Sequence, residues 1–165
     1  MNIKHLVPIV GVIITLAVSS CQKEGIDLYE GNYSFKTSGT ISVEKKSDSV
    51  NETENLSITS EAGQMNILKK DDDSAIITMN VIGGDVFVLE AVVENNTLRL
   101  VPSKRKVTFK EGVQTVSLDC SVSGIGEKLK DVVIFTLTIT GSGSSALYNY
   151  TITDSDVKCV ANLNK

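Results

Sequence analysis

The sequence predicts an all-β domain, an antiparallel up-and-down meander of about eight to ten strands closed into a barrel. Three observations carry this. Apolar and polar residues alternate with a period of two through most of the chain after Tyr33. The pairs Gly83-Gly84 and Asn95-Asn96 punctuate successive alternating runs, as two-residue hairpin turns do. No stretch carries a helical apolar period of useful length. Consecutive tight turns make consecutive strands sheet neighbours, and closing the sheet on itself removes its open edges. The alternative all-β arrangement, an Ig-like sandwich, needs Greek-key crossovers.

Before the strands comes a leader. Residues 1–20 combine Lys4, an apolar run from Leu6 to Val18 and small residues ahead of Cys21. That is a charged n-region, a short h-region and a cleavage site, and so a signal peptide outside the fold. Residues 21–29 read as a polar tether, and 30–165 as one domain large enough to bury a core.

In the first strand Phe35, Thr37, Gly39, Ile41 and Val43 share one face, with Gly39 marking a bend. Residues 44–54 are charged and polar and read as a long exposed connection. Leu56 and Ile58 alternate with Ser57 and Thr59, and 65–68 forms the next strand after Gly63. The acidic turn Lys70-Asp71-Asp72-Asp73-Ser74 leads into three strands, 75–82, 85–94 and 97–101, expected to be successive neighbours. Lys104-Arg105-Lys106, with Lys110 nearby and Pro102 before it, reads as a solvated loop. Val116, Leu118, Cys120 and Val122 mark one face of the following strand, and 124–130 reads as a loop.

Residues 132–140 are rich in β-branched side chains. Val133, Phe135, Leu137 and Ile139 form one face; the other passes from Val132 and Ile134 to Thr136, Thr138 and Thr140. If the first face points inward, the interior is filled. If the second does, the lumen is apolar at one end and hydroxyl-lined at the other. Gly141-Ser142-Gly143-Ser144 turns the chain into 146–153, where Tyr148, Tyr150 and Ile152 share a face, and 157–163 supplies a last strand.

Composition excludes much chemistry. The net charge is −4, and no basic stripe interleaves with aromatic residues, so nucleic acid is not an expected partner. The one histidine, His5, lies in the leader, so the mature chain has no Ser-His-Asp or Cys-His catalysis and no His-ligated zinc. Nor does a glycine-rich phosphate loop follow a strand and open a helix. No enzyme activity, cofactor or metal site is predicted. Asp71-Asp72-Asp73 lacks the spaced ligands of a calcium loop and reads as a hairpin tip. Glu90 reads as an outward position in an apolar strand, and Tyr148 and Tyr150 as either core fillers or cavity lining.

Cys120 and Cys159 are the thiols left if Cys21 is modified. A bond between them would close a loop of about 40 residues and stabilise by roughly 4 kcal/mol. Against it, a strict meander sets them several strands apart. The sequence leaves both states open.

Two resemblances add to this reading. Val18-Ser19-Ser20-Cys21 resembles a bacterial lipobox, which implies acylation of Cys21 and a membrane anchor, and Gln22-Lys23-Glu24 resembles the export signal of Bacteroidota surface lipoproteins. That implies an outer-membrane lipoprotein, with surface exposure as a further implication. Tyr29-Glu30-Gly31-Asn32-Tyr33 resembles the start of the calycin-like barrel domains of such lipoproteins, and the succeeding hairpins extend the likeness over most of 29–163. In lipocalins a Gly-x-Trp closes the barrel base under a late-strand Arg; here Tyr33 stands in the Trp position, with Lys158 as candidate partner. The barrel architecture suits a small apolar or amphipathic ligand, held inside one barrel mouth if the second face of 132–140 lines the lumen. The alternative is an interaction lipoprotein that contacts another envelope protein or a glycan.

Overall fold

A computed structural model describes residues 24–165; Cys21 and the leader lie outside them. The strands are β1 Gly31–Lys46, β2 Asn51–Ser57, β3 Ala62–Lys69, β4 Ser74–Val81, β5 Val86–Glu94, β6 Thr97–Glu111, β7 Gln114–Leu129, β8 Val132–Ser144 and β9 Asn149–Leu163. They form one antiparallel sheet in the order β2-β1-β3-β4-β5-β6-β7-β8-β9, and β1 also pairs with β9 from Tyr33 to Lys46. The up-and-down barrel is therefore the fold, and the sandwich alternative is excluded. The strands on either side of Gly83-Gly84 and Asn95-Asn96 are neighbours, as the turn chemistry requires. Asn95 and Asn96 both have positive φ, 50° and 61°, the geometry a two-residue hairpin demands.

Strand length divides the barrel into two storeys. At the base, the first half of β1 pairs with β3, and eight strands make a closed ring. β3, β4 and β5 are short and stop at mid-height. β1 and β6 to β9 continue upward, and there β1 trades β3 for β2, from Thr40 to Lys46. β5 pairs with β6 only from Ala91 to Glu94. In the upper storey, among the described residues, β6 residues 103–111 thus pair with β7 on one side alone, and β2 pairs with β1 alone. The wall is open between β2 and β6.

Four expectations need correction. Residues 44–54 are not one long connection: β1 runs on to Lys46 and β2 starts at Asn51. The 124–130 loop belongs mostly to β7, where Gly124 and Gly126 lie in the sheet; a Cβ at Gly126 would sit 2.6 Å from the Phe135 ring that covers it. The basic loop at 104–106 is a strand, because β6 passes Pro102 through an irregularity between Leu100 and Ser103. Finally, within the expected tether a 3-10 turn over Gly25–Leu28 buries Ile26 and Tyr29 against the base. Two apolar side chains in that segment gain more by packing than by solvation.

Phe135 settles the orientation of β8. It points inward and is 2% exposed, together with buried Val133 and Ile139. Thr136, Thr138 and Thr140 are exposed, so the hydroxyl-lined lumen is not formed.

Candidate functional site

Both ends of the barrel are plugged by polar-tipped aromatic residues. At the base, Tyr29 and Tyr33 are fully buried. The Tyr29 hydroxyl donates to the Asn96 carbonyl at 2.5 Å, and that of Tyr33 to the Tyr29 carbonyl at 2.6 Å. Lys128 Nζ donates to the Tyr33 hydroxyl at 2.9 Å and sits 5.3 Å from its ring centroid. Lys128 of β7, not Lys158, is therefore the cation at this tyrosine; Lys158 is exposed because its β9 position has the outward parity. Burial pushes the Tyr33 pKa up to about 12.

At the far end, Glu111 accepts hydrogen bonds from Lys45 and from the Tyr150 hydroxyl. Lys45 first, and then Tyr150, holds the Glu111 carboxyl below its ordinary pKa. Lys45 also lies over the Tyr148 ring at 3.8 Å, and Phe109 meets Tyr150 edge-on at 5.6 Å. Tyr148 and Tyr150 are plug residues rather than cavity lining.

Between the plugs lies a cavity of about 690 Å3, within the range of small-molecule sites. Buried Met65, Ile77, Phe135 and Cys159 line it deep inside, while exposed Ser57, Thr59, Asp85 and Lys104 line it at the surface. Its opening coincides with the break in the wall between β2, β5 and β6. The expected location inside one barrel mouth is thus replaced by a side opening, because the short β3 to β5 leave the upper wall incomplete.

The segment 58–61 forms one rim. Thr37, the one buried polar residue among the described residues, ties it down: its backbone N–H donates to the Glu61 carbonyl at 2.7 Å, and its hydroxyl accepts from the Glu61 N–H at 3.0 Å. β6 forms the other rim. Lys104, Lys106, Thr108 and Lys110 are exposed, whereas Ser103, Arg105, Val107 and Phe109 are half-buried on the cavity side. The Arg105 guanidinium lies 3.9 Å from the Phe87 ring centroid, bridging the unpaired stretch between β6 and β5 by a cation–π contact. Burial lowers the Arg105 pKa, while the fields of Glu61 and Asp85 oppose that.

No family model and no curated protein matches this chain. Among solved structures it is similar to EF1p2_mFAP2b bound to DFHBI, with a TM-score of 0.42 and 10% identity over 83% of this chain and 94% of that one. It is also similar to the ywiB protein from Bacillus subtilis, with a TM-score of 0.23 and 9% identity over 81% and 94% of the two chains. These likenesses are distant. The barrel rests on the strand pairing itself.

Sequence reasoning passed over Arg105 because three consecutive cations read as solvent-facing. The signal was the alternation: Ser103, Arg105, Val107 and Phe109 fall on one side of a strand. Asp71, Asp72 and Asp73 are exposed at the β3–β4 turn, with Asp72 3.1 Å from Lys69; Glu90 is exposed and 3.2 Å from Lys70.

Cys120 and Cys159 are buried and free. Cys120 faces Gly141 of β8, and Cys159 faces Phe135 of the same strand. Six residues of strand separate those positions by roughly 20 Å, well beyond the span of a disulfide. Burial raises both thiol pKa values, that of Cys159 to about 12. At pH 8 neither is expected to react with an aromatic disulfide reagent over minutes in the native protein, while both label at once in guanidinium. Peptide mass spectrometry resolves the two sites; fast native labelling of Cys159 would contradict its burial.

Proposed function

We propose that this chain is a membrane-anchored envelope protein that takes a small, mostly apolar ligand through the side of its barrel. The observation that carries the binding reading is the cavity of about 690 Å3, apolar within and polar at its rim. Filled barrels of this size pack their interior to native density; here Phe135, Leu137 and Ile139 on the inward face of β8 border open space that reaches the gap between β5 and β6.

The test is uptake of a polarity-sensitive dye such as anilinonaphthalene sulfonate. Wild-type protein should bind it with a blue-shifted emission. Met79→Trp, which adds bulk at a half-buried position on the cavity wall, should weaken binding about tenfold or more at unchanged far-UV circular dichroism. Equal binding by both proteins would sink the cavity as the site.

The anchor is the second part of the proposal, and its support is the sequence around Cys21. Acyl chains contribute about 0.8 kcal/mol per buried methylene, so several together hold a domain at a membrane. Cells fed an alkyne fatty acid should label the wild-type protein and not Cys21→Ala, and the variant should leave the outer-membrane fraction. Absence of label on the wild type would remove the anchor from this reading.

A second reading, docking to another envelope protein, draws on exposed Ile82, Val86 and Val88 near the β4–β5 turn. Apolar groups clustered on an outer face mark contact sites. Co-purification lost in a Val86→Lys, Val88→Lys variant, with dye uptake intact, would favour it.

A further inference from the structure

The polar groups that face the cavity from β6 are donors without acceptors. The Ser103 hydroxyl oxygen is shut off from solvent and has no hydrogen-bond partner among the described residues. Two residues on, and on the same face, Arg105 is half-buried against Phe87 with no carboxylate or carbonyl bonded to its guanidinium among them. Glu61 and Asp85 act on Arg105 through space but form no ion pair with it. A buried hydroxyl without a partner is a cost to the fold, and a half-buried guanidinium without an acceptor is a further one. Both costs fall if a ligand supplies the acceptor.

We propose that the ligand is an anionic amphiphile, a monocarboxylate whose head meets Arg105 and Ser103 and whose aliphatic tail lies along Leu89, Ile77, Phe135 and Leu137. This rests on the cavity being the binding site, as argued above. The planar guanidinium fork matches the two oxygens of a carboxylate, and the Ser103 hydroxyl adds a third donor from the same side. Glu61 and Asp85 at the rim would repel a dianion more than a monoanion, which favours a carboxylate over a phosphate. The four tail-side residues all line the cavity and carry no polar atoms in their side chains.

The experiment compares dodecanoate, dodecanol and methyl dodecanoate by calorimetry, using the full chain with Cys21→Ser to keep it unacylated. Wild-type affinity should rank dodecanoate above the two neutral probes by tenfold or more. Arg105→Gln should remove that preference, weakening dodecanoate far more than dodecanol, and Arg105→Lys, which keeps charge but loses the fork, should fall between. Ser103→Ala should weaken dodecanoate severalfold. If dodecanoate and dodecanol bind alike to the wild type, or if Arg105→Gln weakens both equally, the headgroup assignment is overturned and the cavity stands. If none of the three binds the wild-type protein, the cavity reading falls and this inference falls with it.

Discussion

Gly39→Ala is expected to cost more than roughly 4 kcal/mol, among the largest values single substitutions reach. Gly39 has φ +148°, and a Cβ built there would lie 2.1 Å from the Asp156 carbonyl oxygen and 2.6 Å from the Val157 Cα. Both obstacles are backbone of β9, the strand that closes the barrel onto β1. They cannot turn aside as a side chain would, so the two strands must part. Gly39 also sits where β1 exchanges partners, after Lys36 has paired with β3 and before Thr40 pairs with β2. Its carbonyl accepts the Ile58 N–H at 3.0 Å, which holds one rim of the cavity opening. A loss of this size lowers the melting temperature by about 12 °C or more. Gly83→Ala is the control: φ is +71° but nothing lies within 4 Å, so the cost is the left-handed backbone alone, about 1–2 kcal/mol. If the two variants melt together, β1 and β9 do not approach as closely as this.

The special backbone of Gly39, the meander and the hairpins at Gly83-Gly84 and Asn95-Asn96 were legible because each depends on local chemistry, although the irregularity in β1 falls at Ser42 and Val43 rather than at Gly39. Asparagine pairs tolerate positive φ, and period-two alternation declares a half-buried strand wherever it occurs. Strand ends were less legible. Glu44, Lys45 and Lys46 look like a loop, yet Lys45 turns inward to meet Glu111, 66 positions downstream in the chain, a pairing no local pattern announces. The same failure hid Arg105. A cation among cations reads as solvated unless the strand through Pro102 is seen to continue, and what makes its inward position tolerable is the Phe87 ring, contributed by another strand. The side opening was invisible for a different reason. It follows from unequal strand lengths around a closed ring, a property of the assembly rather than of any segment. The base plug lay in between: Tyr29 and Tyr33 were recognisable as an opening motif, while their cation came from β7 and not from the late strand that the lipocalin likeness implied.

The base plug and the Cys159 thiol make the barrel sensitive to alkali. Tyr33, fully buried, has its pKa raised from an ordinary 10.0 to about 12, with desolvation the main cause and the charges of Tyr29 and Asp131 adding to it. Cys159 is raised from 9.0 to about 12, again chiefly by desolvation. In the unfolded chain both groups ionise at their ordinary values, so between those values and about 12 the unfolded state binds fewer protons than the folded one. Stability then falls with rising pH. The contribution is fully present below pH 9 for the thiol and below pH 10 for the phenol, and it is lost by about pH 12. Each group accounts for on the order of 2–4 kcal/mol of that loss. The urea midpoint should therefore hold steady from pH 7 to 8.5 and drop steeply between 9 and 12. Lysines titrate over part of the same range, so the diagnostic is the difference between proteins. A Tyr33→Phe, Cys159→Val variant should start less stable, having lost the hydroxyl that bonds the Tyr29 carbonyl, yet fall along a visibly shallower slope. Parallel slopes for the two proteins would mean that neither group keeps its proton in the folded barrel, and that water reaches the base and the cavity wall.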